Sequence, residues 1–367
     1  MSEQKPSVLV GMSGGVDSSV TAALLVEQGY KVAGGFIKNW SDSKDLWTGE
    51  CQWRGERRDA IRVAAKLGIP LLTFDFEQAY RERVVGDLFR GYEAGETPNP
   101  DVLCNEVTKY GLFFEEAMRL GFDYIAMGHY AQVLPLTKGE LEGVPVGLFR
   151  GVDPDKDQSY FLYRVPQNVL RRTMLPIGGL KKTEVREIAR KMELPVAEKP
   201  DSQGICFIGK LDMAEFLRKK IPSKPGEIVD PDGKVLGQHD GLDQYTIGQR
   251  QGIKVSEGGH AWYVAKKDDE TNRLIVVPSD EHPLLYRTEA TVHDLHWTRG
   301  EAPKLPMKVA TQVRYRQEAV QATMDVTEDP NVFRLVFEEP VKAVAPGQSA
   351  VLYLGQECLG GGIIGRG

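Results

Sequence analysis

Cysteine is scarce in this chain of 367 residues: four in all, at positions 51, 104, 206 and 358. They are too few and too scattered for a disulfide framework. With no Cys-x-x-Cys pair, they give no support to a zinc ribbon or an iron–sulfur cluster. Long apolar runs are also lacking, and none approaches the ~20 residues needed to span a bilayer. The start, Met1-Ser2-Glu3-Gln4-Lys5-Pro6, carries neither an apolar signal segment nor an Arg-rich presequence, so a cytoplasmic enzyme is expected. An excess of positive charge is missing too: the net charge is −6. That argues against a generally basic nucleic-acid binder, although a local basic face is compatible with it. The pairs Lys181-Lys182 and Arg190-Lys191 read as solvated helix faces.

What is present begins at the N-terminus. The apolar run 8–10 is followed by Ser13-Gly14-Gly15-Val16-Asp17-Ser18 and then by an apolar-periodic segment. A strand, a glycine turn and a helix in that order converge backbone N–H groups and the positive end of a helix dipole on one point, which suits a phosphate. The glycines let the main chain approach an anion without a Cβ in the way. Ser13, Ser18 and Ser19 add hydroxyls, and Asp17 either holds a magnesium ion or fixes the loop. The turn contains no lysine, so the Gly-Lys-Ser/Thr ending of a P-loop is absent. The string resembles the signature of the PP-loop ATP pyrophosphatases, which implies an ATP split between its α and β phosphates and AMP transferred to a carbonyl oxygen.

Up to about residue 130 strand-like runs (8–10, 32–37, 71–74, 124–127) alternate with helical ones (18–28, 56–67, 107–120). Alternation of this kind predicts βαβ crossovers and a parallel sheet, with ligands at the carboxyl ends of its strands. Gly128-His129-Tyr130 follows a strand end just as the 13–18 turn does, so the two are expected to face one crevice. Beyond the breaker-rich linker 221–226 the runs become short and β-type, with a hairpin turn at Asp230-Pro231-Asp232-Gly233. The expectation is an α/β parallel-sheet domain at 1–209, a small β-rich domain at 210–283 and a barrel-like domain at 284–367.

Two cysteines sit in Pro/Gly/Asp-rich loops, where chemistry concentrates: Cys104 in Asn99-Pro100-Asp101-Val102-Leu103-Cys104-Asn105, and Cys206 in Asp201-Ser202-Gln203-Gly204-Ile205-Cys206. Together with the 13–18 turn, Lys38-Asn39-Trp40, Gly128-His129-Tyr130-Ala131, Asp155-Lys156-Asp157-Gln158-Ser159-Tyr160 and Gly248-Gln249-Arg250-Gln251-Gly252, they form an ordered set. That set resembles the bacterial tRNA-uridine 2-sulfurtransferases over nearly the whole chain. One departure is Ile37, where many members carry methionine, an apolar exchange beside the adenine site.

The resemblance implies a PP-loop, Rossmann-like domain of the adenine nucleotide alpha hydrolase type. It implies ATP with magnesium, bound by Gly11, Met12, Ser13, Gly14, Gly15, Val16, Asp17, Ser18, Ile37 and Gly128. The carbon-2 oxygen of the wobble uridine would be adenylated, Cys206 would carry a persulfide, and Cys104 would attack it and leave a Cys104–Cys206 disulfide. Asp101 would act as general base or orient the target base. Implied tRNA contacts are Asn99, Pro100, Asp101, His129, Lys156, Asp157, Gln158, Arg314, Tyr315 and Gln348. A lysine, glutamate or glutamine tRNA and a sulfur-relay persulfide donor would be the partners, with no membrane. A flipped base needs stacking surfaces and polar groups that read its edge. An ammonia-using synthetase on a small metabolite would need no pair of loop cysteines, and a non-enzymatic RNA binder would form no AMP.

Overall fold

The computed structural model describes residues 5–41, 51–136, 145–201, 213–218, 220–222, 224–255 and 261–366. Strands β1 (Ser7–Gly11), β2 (Lys31–Lys38), β3 (Leu71–Asp75) and β4 (Tyr124–Ala126) are all parallel. The helices α1 (Val16–Glu27) and α2 (Gln52–Leu67) connect the first three. Val8, Leu9 and Val10 are fully buried, as a strand covered on both faces requires.

The chain then leaves this sheet as a hairpin, β5 (Ala131–Pro135) and β6 (Val146–Arg150), and returns for a short parallel strand, β7 (Thr173–Met174). The finished order is β3-β2-β1-β4-β7. A second sheet comprises β8 (Gly226–Val229), β9 (Val235–His239), β10 (Tyr263–Asp268) and β11 (Arg273–Val277), with β8 and β9 joined across the Asp-Pro-Asp-Gly turn.

The remaining strands are β12 (Tyr286–Trp297), β13 (Met307–Gln312), β14 (Val320–Val326), β15 (Val332–Lys342), β16 (Ser349–Leu354) and β17 (Glu357–Ile364). Their order β12-β15-β14-β13-β16-β17 closes on itself because β12 also pairs with β17, so a six-stranded barrel with no free edge results. The hairpin β5–β6, from early in the chain, is stitched to this barrel through Glu357↔Phe149 and Cys358↔Leu148. One buried cluster accordingly runs from Leu9, Phe113 and Ile125 of the first unit to Tyr163, Val351 and Tyr353 beside and within the barrel.

Two helical segments differ from expectation. A helical stretch over 77–93 was not foreshadowed by the pattern. The helix expected at 107–120 begins earlier, at Pro100, because the Asn99 side chain accepts from the Asp101 and Val102 amides at 3.1 and 3.3 Å. Asparagine as cap and proline in the first helical position are the standard start signals. The middle of this segment, Cys104–Leu112, is wound as π-helix, a widened turn often met at functional sites.

Phe113 ties that segment to the sheet: it is fully buried and lies edge-on to Phe74 at 5.5 Å. Phe113→Ala is expected to cost about 3–5 kcal/mol, read as an earlier first transition in urea unfolding followed by tryptophan fluorescence.

Candidate active site

Parallel pairing of β1 with β4 sets the 11–18 turn beside Gly128-His129-Tyr130. Gly14 has φ +73°, and a Cβ there would overlap the Glu56 carbonyl oxygen of α2. A Cβ on Gly128 would lie 2.8 Å from the Ser18 nitrogen. Both glycines are thus demanded by close backbone approach. Within the turn, the Ser13 amide donates to Ser18 Oγ at 3.2 Å, the Gly15 amide to Ser13 Oγ at 3.3 Å, and Ser19 Oγ to the Gly15 carbonyl at 2.6 Å. The N-cap of α1 is Gly15, and no side chain caps the helix. Its first amides therefore form a ready anion site, which fits the triphosphate of ATP. Met12 is buried and bonds through its amide to the Gly35 carbonyl, Gly11 closes β1 against Met127, and Val16 is buried. Ile37 packs with Val102, Tyr110 and Met127.

Of the two roles expected for Asp17, the structure supplies the partners for fixing the loop. Its Oδ1 accepts from Tyr130 Oη at 2.8 Å and from Lys182 Nζ at 2.7 Å. Among the described residues no group of three or more His, Cys, Asp or Glu could hold a metal ion. The missing lysine of the turn is made good from far away. Lys182 reaches Asp17, and Lys199 Nζ donates to the Gly14 carbonyl at 3.0 Å and to Asp59 at 2.8 Å. Lys182 was expected on a solvated helix face, yet its side chain is only 12% exposed. Helical periodicity alone does not reveal that a charged residue faces a loop 165 positions upstream.

In the segment 100–119, Val102 packs with Ile37 and Met127 at the carboxyl ends of β2 and β4. Cys104 is fully buried in an apolar cluster with Trp40, Tyr80, Phe89 and Phe216. Cys206 and its expected bridge to Cys104 lie outside the described residues. The other two cysteines are accounted for locally: Cys51 donates to the Ser41 carbonyl at 3.0 Å, and burial pushes the Cys358 thiol up.

His129 is buried between Tyr110 Oη, 2.8 Å from Nδ1, and Lys109 Nζ, 3.3 Å from Nε2. Burial, and then the charge of Lys109, drive its pKa well below 6.5, so it is a neutral ring. Lys109 as donor assigns the proton to Nδ1.

The expected polynucleotide contacts divide. Asn99, Pro100 and Asp101 form one rim with the barrel: Gln348 Nε2 donates to the Thr97 carbonyl at 2.6 Å, and Tyr160, which hydrogen-bonds Asn99, donates to the Ser349 carbonyl. Tyr315 joins this rim with its ring tilted at 49° against Phe161, the centroids 4.3 Å apart, and Arg314 is exposed beside it. Lys156 points elsewhere, to Asp201 at 2.9 Å. Gln158 pairs with the backbone of Tyr130 through Oε1 and its own amide. Asp157, expected at a surface, is turned inward, because its carboxylate is taken up by Arg150, Ser159 and the Gly151 amide.

A parallel sheet with an uncapped helix N-terminus at its carboxyl end, joined to two β-rich units, defines a nucleotide-using α/β enzyme class. Three family models match in tandem. They are described as a tRNA methyl transferase HUP domain over residues 6–210, a tRNA methyl transferase PRC-barrel domain over 214–278 and an aminomethyltransferase beta-barrel domain over 287–364. The chain is 48% identical over 361 residues to the tRNA-specific 2-thiouridylase MnmA of Cupriavidus pinatubonensis, covering 97% of this chain and 98% of that one. To the enzyme of the same name from Enterococcus faecalis it is 45% identical over 365 residues, covering 99% and 96%. A solved 4-thiouridine synthetase–RNA complex with bound ATP aligns at 15% identity and a TM-score of 0.35, over 59% of this chain and 50% of that one. The chain belongs to the tRNA-specific 2-thiouridylase family. Among the described residues no helix is long and apolar enough to cross a membrane.

The unfolded chain takes up a proton at His129 near pH 6.5 and the folded chain does not. Stability present above that pH is therefore lost as pH falls through it. His129→Asn is expected to flatten part of the drop in urea midpoint between pH 7 and pH 5; His239 and His296, also lowered by burial, act in the same direction.

Proposed function

We propose that this protein replaces the carbon-2 oxygen of the wobble uridine in tRNA anticodons with sulfur, at the expense of ATP. The observation that supports this reading best is that an uncapped phosphate turn follows β1, while Val102, between Asp101 and Cys104, packs with Ile37 and Met127 at the ends of the flanking strands β2 and β4. The carbonyl oxygen of a pyrimidine is a poor leaving group, and attaching AMP to it makes it a good one. The amides at the start of α1 and the hydroxyls of Ser13 and Ser18 would hold phosphate oxygens. Magnesium would enter on those phosphates and offset their charge.

Sulfur would arrive as a persulfide on Cys206. Cys104 as thiolate would attack the inner sulfur, forming the Cys104–Cys206 disulfide and expelling hydrosulfide. The hydrosulfide would add to carbon 2, and AMP would leave with the former carbonyl oxygen. An external reductant would then restore both thiols. Asp101 would orient the base or take its proton. The rim of Asn99, Tyr315, Arg314 and Gln348, with Tyr160 and Phe161 beneath, offers the stacking and polar groups a splayed-out base requires. Lysine, glutamate and glutamine tRNAs, a relay protein as persulfide donor and a cytoplasmic setting belong to this reading. The family-model descriptions speak of methyl transfer, whereas the cysteine-bearing motifs favour the thiolation named by the relatives.

Incubation of unmodified tRNA with ATP, magnesium and a persulfide source should yield 2-thiouridine and AMP, read by nucleoside mass spectrometry. Cys206→Ala and Cys104→Ser should each lower thiolation by more than about a thousandfold, as loss of a covalent nucleophile does. Full thiolation by Cys206→Ala would contradict the scheme.

A further inference from the structure

Three cations converge on a single carboxylate next to the phosphate turn. Asp201 Oδ2 accepts from Lys156 Nζ at 2.9 Å, and its Oδ1 accepts from Lys182 Nζ at 2.8 Å and Arg186 Nη2 at 2.7 Å. Lys182 and Arg186 stand one turn apart on the helix Lys182–Lys191, so both reach the same point. Lys182 simultaneously donates to Asp17 in the first turn of α1, which makes the cluster continuous with the uncapped helix N-terminus. The three cations outnumber the two carboxylates they pair with, Asp17 and Asp201, while Asp153 accepts from the Lys182 backbone amide beside them. Against desolvation, which raises it, hydrogen bonds from Lys182 and Lys156 hold the Asp201 carboxyl down at about 2.

We propose that Lys156, Lys182 and Arg186 form an anion subsite for the pyrophosphate half of the nucleotide, and that the Asp201 carboxylate holds this place when no nucleotide is bound. The inference rests on the nucleotide-cleaving role proposed above. Two oxygens of a phosphate present the acceptor geometry that the carboxylate now supplies, with more negative charge for the same donors. The Asp201 side chain is already 35% exposed, so moving it into water carries little desolvation cost. Cations fixed beside the turn would also stabilise the charge that gathers on pyrophosphate as it departs. This is the task for which the turn has no lysine of its own.

Isothermal titration of the full chain with magnesium pyrophosphate and, separately, with AMP tests the assignment. Asp201→Asn, which removes the competing charge, should tighten pyrophosphate by at least about fivefold, the low end of ordinary coupling between sites, and leave AMP unchanged. The double variant Lys182→Met, Arg186→Met should weaken pyrophosphate by at least as much, again sparing AMP. A misfolded variant cannot gain affinity, so the first result does not depend on how the second variant folds. Unchanged or weaker pyrophosphate binding by Asp201→Asn, or equal losses for AMP and pyrophosphate in the double variant, would overturn the proposal. Binding of AMP but not pyrophosphate by the unsubstituted protein would overturn the subsite alone. Binding of neither pyrophosphate nor ATP would overturn the nucleotide role as well.

Discussion

The carboxylate of Asp157, buried where the parallel sheet meets the barrel, accepts from the Gly151 and Ser159 amides at 3.0 Å, from Ser159 Oγ at 3.0 Å and from Arg150 Nη1 at 2.9 Å. A charge out of water is tolerable only when its lone pairs are filled in this way. The same partners grip the barrel: the Arg150 guanidinium lies 3.6 Å over the Tyr353 ring, and Ser159 Oγ is 3.1 Å from Tyr353 Oη. The hairpin β5–β6 then joins β17, Tyr160 bonds the Ser349 carbonyl and Gln348 bonds Thr97. Through this chain of contacts the Asn99 turn, and with it Asp101 and Cys104, acquires a fixed position relative to Arg314 and Tyr315. A loosened Asp157 would detach the two halves of the expected base-binding rim from each other.

The site itself has two electrically different ends. Around α1 the environment is charged, with Lys182 and Lys199 brought to a turn that lacks cations of its own. Around Cys104 it is apolar, walled by Trp40, Tyr80 and Phe216. Activation of an oxygen by a phosphoanhydride belongs at the first end, where dipole and cations meet negative charge. On the proposed scheme sulfur chemistry would fall at the second, where water is excluded and a hydrosulfide would not be lost to solvent. His129, neutral and clamped between Tyr110 and Lys109, follows the end of β4.

The phosphate turn was legible in the sequence because its geometry is local: strand, glycines and helix follow one another, and nothing distant is needed to place them. The alternation that announced the parallel sheet is legible for the same reason. What escaped was non-local. Lys182 reads as one more solvated helix charge until the fold brings it to Asp17, and Asp157 reads as a surface residue until Arg150 and Ser159 close over it. Strand β17 is hard to read in the sequence because Gly360, Gly361 and Gly362 break the apolar pattern; a Cβ at any of the three would collide with the backbone of β12 or β16. Steric necessity there overrides strand propensity. The resemblance of the spaced motifs supplied the roles of the cysteines, which spacing alone left between buried thiols and chemical ones.

The central claim is that the phosphate turn activates the uridine oxygen itself. Transcribed tRNA carrying 18O at carbon 2 of the wobble uridine tests it directly, with AMP and inorganic phosphates collected after one turnover and weighed by mass spectrometry. The account predicts the label in the phosphate of AMP and none in pyrophosphate or water. Label recovered in inorganic phosphate, or retained in tRNA that has nonetheless gained sulfur, would contradict it.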